Sequence, residues 1–543
     1  MTNATQSGAK KSGAARSDKP WSRHTPEGPW DDIVVGSGMG GMTNAAMLAH
    51  LGRRVLVLEQ HYVPGGFTHA FPRKGYTWDV GVHVVGDVTS HTLTGRLLEL
   101  LTDGRLKWNH LGEVYEQFHF PDGFRIDFPD NPRQFRDNLT DAFPDQEEAI
   151  DNYFSLVREA AHTMRYHYMS RAMPGWLSPP VRILGRKAKD FLGRTATEVL
   201  EELTPDPKLR AVLCAQWGYY GTPPSRAPFA IQALIARHYL HGGYYPVGGA
   251  QQIARQLLQT VADNGGWTRI LADVQEIVIE KGRAVGVRLA DGEEIRARRV
   301  TSAIGVNATA AMLPEDCRKP GGWSDQTKPL RPGPAHVCLY MGFKGDAPGA
   351  GASPANKWFY DSWDSEAGVW QIRGDQDMSR APVLYCSFPS MKDPEHDPGP
   401  EMKHTGEIVT FVPWESFSEW QDKPWKKRGG DYDAFKQRIQ DQLLSQFREH
   451  LPELTDQVDY AELGTPLSTD YFCRPQQGSI YGPEGTRERF VNKWMRPRSP
   501  IRGLFFSGNE VAVMGVMGAM LGGMMGAIAA EPRATLSMLR PLL

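Results

Sequence analysis

The hydrophobic pattern of this chain has two short apolar runs that end in glycine turns, one near each terminus. Asp32-Ile33-Val34-Val35 reads as a buried strand entering the turn Gly36-Ser37-Gly38-Met39-Gly40-Gly41, with a helix to follow. Arg54-Val55-Leu56-Val57-Leu58 reads as a second buried strand, of the parallel kind, closed by Glu59. Near the other end, Gly503-Leu504-Phe505-Phe506 predicts a strand that turns at Ser507-Gly508-Asn509-Glu510 into a glycine-rich helix. Between these ends the period changes. In 91–241, apolar residues recur at helical spacing around Leu97–Leu101, Tyr153–Met164 and Phe229–Tyr239, which predicts a mainly helical region. In 311–494, β-branched and aromatic residues predict strands at His336–Phe343, Val383–Phe388 and Ile408–Pro413, then a helix from about Asp431 to Glu449. No internal repeat is evident.

Gly36, Gly38 and Gly41 stand at the G-x-G-x-x-G spacing, with Ser37 and Gly40 inside the turn. At that spacing the first glycine makes the tight turn, the second lets backbone approach a pyrophosphate, and the third allows close packing of helix on strand. The helix N-terminus then presents unpaired amides to the phosphates. Glu59 ends the next strand where a carboxylate accepts hydrogen bonds from a ribose. Strand, fingerprint, helix and terminal acid in this order point to an adenine dinucleotide. No second fingerprint of this kind follows a strand, so a separate nicotinamide domain is not expected, and NAD(P)H is a candidate external reductant only.

Pro64-Gly65-Gly66 follows the acidic strand end, and Tyr76-Thr77-Trp78-Asp79-Val80-Gly81-Val82-His83 comes next. With these residues the sequence resembles the phytoene desaturase, carotenoid isomerase and retinol saturase group of flavoproteins. Gly81-Val82-His83-Val84-Val85-Gly86 is most similar to the retinol saturase branch. Gly243 to Gly249, Ser387 to Pro394, Thr465-Pro466-Leu467 and Gly478 to Gly482 extend the resemblance, which covers about residues 30 to 535. It implies an α/β fold, with a discontinuous Rossmann-type FAD-binding domain beside a mixed α+β substrate domain. It also implies that Gly65 and Gly66 lie near the dinucleotide, and that the backbone at Val274 contacts the adenine. Where the group usually carries Asp after the C-terminal glycine turn, this chain has Gly508-Asn509-Glu510, so a ribityl contact falls to a carboxylate one methylene longer.

The activity implied is FAD-dependent hydrogen exchange across a C=C bond of a polyene or related lipid, with hydride exchanged at flavin N5. A carotenoid cis-trans isomerase and a phytoene-type desaturase are the alternatives within the group. A non-enzymatic flavin-containing lipid carrier is the alternative outside it. An amine oxidase is disfavoured, because the segment around Gly508 lacks an aromatic pair to cage an amine. His83 and Tyr481 stand in glycine-bounded stretches that could approach the ring, and His83 could donate a proton. A hydrogen-bonded core histidine and a wall aromatic are the plainer readings of the two.

Val511 to Ala530 is uncharged, with Gly518, Gly522 and Gly526 at the small-residue spacing of lipid-embedded helices. Its place directly after a strand and a glycine turn favours a flavin helix instead. Val516 and Met517 are its candidate cofactor contacts, and the helix dipole favours negative charge on a reduced flavin. Segment 165–189 mixes Arg165, Arg171, Arg182, Arg186, Lys187 and Lys189 with Tyr166, Tyr168, Trp176, Leu177, Ile183 and Leu184, without an acid. That composition suits a peripheral membrane-docking surface; a solvated basic face of two helices broken at Pro179-Pro180 is the alternative.

At 543 residues the chain exceeds a single core, and a formal net charge of −2 gives no general field to attract nucleic acid. Five scattered cysteines indicate neither a zinc site nor a disulfide framework, so no metal is expected and a reduced, cytoplasmic location, peripheral to a membrane, is the simplest reading. The expected organisation is a disordered tail at 1–29; an FAD-binding domain built from 30–90, 242–310 and 495–543; a helical substrate and membrane-docking region at 91–241; and a substrate domain at 311–494. The partner expected is a hydrophobic small molecule.

Overall fold

The computed structural model describes residues 19–173, 175, 178–318, 322–373 and 378–542. Two large sheets organise them.

The first sheet has eight strands, in the order Trp21–Ser22, Trp267–Arg269, Val55–Leu58, Trp30–Val35, Glu294–Ser302, Arg283–Leu289, Val274–Glu280, with Leu504–Phe506 also pairing Glu294–Ser302. Its centre is parallel: Asp32 to Val35 run beside Val55 to Leu58 on one side and Arg299 to Ser302 on the other. The continuous apolar runs Ile33-Val34-Val35 and Val55 to Leu58 are buried on both faces, as strands covered by crossover connections must be. Trp21 and Ser22 pair with Thr268 and Arg269, so the tail expected over 1–29 acquires order at its end. Residues 1–18 lie outside the described part.

Helix Met39–His50 is buried from Met39 to Ala49 because it lies between this sheet and helix Val516–Ala530. The contact between the two helices and the second glycine turn is backbone on backbone. A Cβ on Gly522 would stand 1.9 Å from the Gly508 carbonyl oxygen, which no side chain can occupy. The small-residue spacing in 511–530 therefore serves close packing inside the protein. Among the described residues no helix is long and apolar enough to cross a membrane.

The second sheet has seven strands, ordered Val458–Gly464, Ala335–Lys344, Lys403–Val412, Val383–Ser387, Asn356–Tyr360, Val114–His119, Arg125–Pro129. Region 91–241 is mainly helical, as expected, with one departure: Val114–His119 and Arg125–Pro129 form a hairpin, and Val114–His119 extends the sheet by parallel pairing with Asn356–Tyr360. Charged Glu116 in mid-strand interrupts the apolar alternation, which hid the strand in the sequence. The remainder of that region is helical, led by Glu147–Ala172 and Phe229–Tyr239.

The two faces of the second sheet do different things. Leu339, Met341, Leu384, Cys386 and Ile408 pack under helix Gly430–His450, whose Tyr432, Phe435, Ile439, Leu443 and Phe447 repeat at helical spacing. Alternate residues His336, Trp358, Tyr385, Val409 and Phe411 face the other way, into a cavity shared with the first sheet.

Candidate active site

That cavity, of about 1200 Å³, runs from the glycine turn of Gly36 to the second sheet and to helix Glu147–Ala172. At its polar end Gly36 has φ +91°, and a Cβ on Gly41 would stand 2.0 Å from the Gly36 carbonyl oxygen, so turn and helix can close only with glycine at both positions. A Cβ on Gly38 would meet nothing within 4 Å, which leaves the backbone there open to the cavity beside the helix N-terminus. Glu59, nearly buried at the end of Val55–Leu58, accepts from the Ser37 amide (3.0 Å), the Ser37 hydroxyl (2.6 Å) and the His61 amide (2.8 Å). The Gly65 amide donates to the Ser37 hydroxyl at 3.0 Å, which ties the double glycine to the first turn. This cradle fits an adenine dinucleotide: open backbone and a helix N-terminus for the pyrophosphate, and a fixed carboxylate for a ribose.

Gly36, Ser37, Gly38, Gly40, Glu59, Gly66, Val274, Gly508, Glu510, Val516 and Met517 all line the one cavity; Gly41 and Gly65 stand behind its wall. Glu510 is tied to the wall, accepting from the Val306 amide at 2.7 Å, and burial raises its pKa. His83 and Tyr481 reach the same cavity.

Their surroundings differ from the sequence expectation. His83 Nδ1 stands 2.9 Å from Glu407 Oε2 and its ring meets Tyr385 edge-on, while burial and the nearby Lys392 cation push its pKa down to about 3. A histidine held neutral has no imidazolium proton to give at neutral pH, so the acid role expected for it is not supported by its environment. The Tyr481 hydroxyl donates to the Gly218 carbonyl at 3.2 Å, with its pKa raised by burial.

Behind His83 lies a charged cluster that sequence reasoning missed. Lys392, wholly buried, donates from Nζ to the His83 carbonyl (2.6 Å), to the Ser387 hydroxyl (2.7 Å) and to Asn356 Oδ1. Around it are three buried carboxylates, Asp79, Glu116 and Glu407, each with its pKa raised chiefly by burial; that of Asp79 reaches about 7. The same burial lowers Lys392, and the three carboxylates oppose that shift. Asp79 accepts from the Tyr245 hydroxyl and the Ala250 amide (3.3 Å), and the Asp79 amide donates to Glu407 Oε1 at 3.1 Å. Lys392 sits within the quoted stretch Ser387 to Pro394, but nothing local in it signals a buried cation.

At the far end of the cavity, Ala161, Arg165, Tyr166 and Met169 of helix Glu147–Ala172 form the wall. Within 165–189, Tyr168 and Arg171 turn inward: Tyr168 is buried, and Arg171 donates to the carbonyls of Phe490 (2.8 Å), Asn492 (2.7 Å) and Met495 (2.5 Å). They leave the surface expected of that segment because the guanidinium caps a loop. Ile183 and Leu184, on helix Ser178–Leu184, are 67% and 59% exposed. Trp176 and Leu177 lie outside the described residues.

Comparison with known proteins bears on this geometry. The family described as flavin containing amine oxidoreductase matches over residues 39–528. An all-trans-retinol 13,14-reductase of Danio rerio is 30% identical over 517 residues, covering 91% of this chain and 84% of that protein. A chloroplastic prolycopene isomerase of Daucus carota is 26% identical over 471 residues, covering 84% of this chain and 72% of its own. Among solved structures, an oxidoreductase from Methanosarcina mazei superposes with a TM-score of 0.60 at 17% identity, covering 91% of this chain and 99% of that one.

Proposed function

The chain belongs to the flavin-containing amine oxidoreductase family and is an FAD-dependent oxidoreductase, and from that premise we propose that it reduces a C=C bond of an apolar polyene of the retinoid or carotenoid kind. The observation that carries this reading is the cavity. Beyond the dinucleotide cradle it continues between Tyr219, Tyr239, Leu234, Ile235, Val409 and Phe411 into a wall of Met169, Ala172 and Met173. An elongated apolar chain is what such walls bury well. When bound, FAD supplies the hydride chemistry at its ring; the protein contributes placement, exclusion of water and control of protons. Glu59 and the turn at Gly36 hold the nucleotide half. Val516, Met517 and the stretch Gly81 to His83 would bound the ring end, where the neutral His83 ring is a wall and the Lys392 ammonium holds the His83 carbonyl.

The retinol reductase relatives match over more of this chain than the prolycopene isomerase does, which favours net reduction over isomerisation. Desaturation is the third outcome of the same apparatus. The segment 178–189 serves as a peripheral docking surface: exposed Ile183 and Leu184, with Arg182, Arg186 and Lys189, adjoin the cavity-lining helix, since Gly185 packs against Tyr166. The test of the reading is incubation of the holoprotein with a reductant and a panel of retinoids and carotenoids, followed by mass analysis. A product two hydrogens heavier supports reduction. A product of unchanged mass and altered geometry moves the assignment to isomerisation, and conversion of no polyene overturns it.

A further inference from the structure

Reduction of a C=C bond needs a proton as well as a hydride, and neither residue singled out in the sequence is equipped to give one: His83 is held neutral, and the Tyr481 hydroxyl is spent on the Gly218 carbonyl with no acid behind it. We infer that Tyr219 delivers that proton and that Glu116, buried directly behind it, holds the proton in reserve; this rests on the polyene-reducing reading above.

Glu116 is enclosed by groups of unequal hydrogen-bonding capacity. Its carboxyl, wholly removed from water on strand Val114–His119, meets the Tyr219 hydroxyl, Asn356 Nδ2 (2.9 Å) and Trp358 Nε1. An amide NH₂ and an indole N–H only donate. A hydroxyl donates and accepts. Among the described residues Tyr219 is therefore the one partner through which a proton can leave Glu116, and Tyr219 is half-buried in the cavity wall beside Trp358 and Tyr385. The Tyr219 hydroxyl donates to Glu116 and faces the Tyr385 hydroxyl at 3.4 Å; when Glu116 is protonated the first bond reverses, and the phenolic hydrogen is freed for Tyr385 or for a substrate in the cavity. Burial favours the protonated form of both groups: it raises Glu116, against the pull of its hydrogen bonds and Lys392, to about 7, and it raises the Tyr219 phenol. Lys392 acts as a positioning residue: its ammonium fixes Asn356 and, by charge, favours the Glu116 carboxylate that forms when the proton has gone.

The step balances. With FAD bound, its reduced form would supply a hydride, with two electrons, to one carbon of the double bond, so that the flavin is oxidised as the alkene is reduced. The adjacent carbon forms its C–H bond as the Tyr219 O–H bond breaks. The proton of Glu116 passes to the phenolate, and Glu116 is reprotonated from solvent before the next turnover. The titratable groups facing Glu116 are Lys392 and the phenols Tyr115, Tyr219, Tyr239, Tyr360 and Tyr385.

The test compares wild-type holoprotein with Glu116→Gln and Tyr219→Phe. With a polyene the wild type reduces, each variant is expected to lose about 100- to 10,000-fold in turnover while retaining flavin. The alkaline fall in the wild-type rate, which reports Glu116 losing its proton, should vanish in Glu116→Gln. Independently of turnover, the infrared band of a protonated buried carboxyl should be present in wild type and diminished in Glu116→Gln. Variants with unchanged turnover and pH profile, or a carboxyl band undiminished in Glu116→Gln, overturn the inference and leave the functional reading standing. A wild type that reduces no polyene overturns the reading itself. If Glu116→Gln does not fold, Tyr219→Phe carries the same rate and pH comparison.

Discussion

Lys392→Met is the substitution that most tests the buried cluster as a structural unit. Lys392 is fully enclosed, its three hydrogen bonds reach the His83 carbonyl, Ser387 and Asn356, and it is the cation set among Asp79, Glu116 and Glu407. Methionine fills a similar volume without charge. Removing one partner of a buried ionic group costs about 3–5 kcal/mol, because the opposite charges stay buried and uncompensated. The cost must also depend on pH. The three carboxyl pKa values are raised above their unfolded values, so what they contribute to stability is present at low pH and is lost as pH rises through the folded values. Loss of the cation raises them further, so the variant's native state holds more protons than the wild type's near neutrality. Each additional proton widens the gap by about 1.4 kcal/mol per pH unit, so between about pH 6 and pH 8 the deficit should grow by about 1–3 kcal/mol. Urea unfolding of both holoproteins across that range, followed by flavin fluorescence and circular dichroism, measures it. A deficit below about 1 kcal/mol, or one constant with pH, would refute the placement of an ammonium among ionisable carboxyls.

Other expected outcomes rest on different parts of the structure. Asp79→Asn should flatten the stability loss that the Asp79 carboxyl, shifted from 3.8 to about 7, imposes as pH rises across that interval, a flattening of roughly 4 kcal/mol visible in unfolding midpoints. Gly522→Val places a side chain where a Cβ already stands 1.9 Å from the Gly508 carbonyl oxygen, so it should destabilise by about 3 kcal/mol or more and release flavin, read from absorbance after gel filtration. Glu59→Ala strands the Ser37 and His61 amides, each worth about 1–3 kcal/mol when left unpaired, and should weaken flavin retention in the same assay. Ile183→Glu with Leu184→Glu should reduce co-sedimentation with anionic vesicles while leaving bound flavin unchanged; undiminished sedimentation would remove 178–189 as the docking surface.

How much of this was legible in the sequence follows from how local each signal is. The strand at Ile33, the turn at Gly36 and the acid at Glu59 are read within a few tens of residues, since the dinucleotide cradle is one continuous unit. Strands Ala335–Lys344, Val383–Ser387 and Lys403–Val412 declared themselves by β-branched and aromatic content. The hairpin at Val114–His119 did not, because Glu116 stands where an apolar residue was expected and its compensation comes from Tyr219, Asn356 and Trp358, more than a hundred residues away. Lys392 was invisible because, Ser387 apart, its partners His83 and Asn356 come from distant parts of the chain. His83 was found by its glycine-bounded setting, yet its protonation is set by burial and by Lys392, which no local reading contains. The glycines of 511–530 carried a real signal of close packing, and only the fold decides that the surface approached is the turn at Gly508.

The central claim is most directly tested by reducing the bound flavin anaerobically, mixing it rapidly with all-trans-retinol or a carotenoid, and following flavin absorbance. The account predicts reoxidation at a rate that depends on the polyene, with one double bond saturated per flavin oxidised. Flavin that stays reduced while the polyene is consumed or left untouched would contradict it.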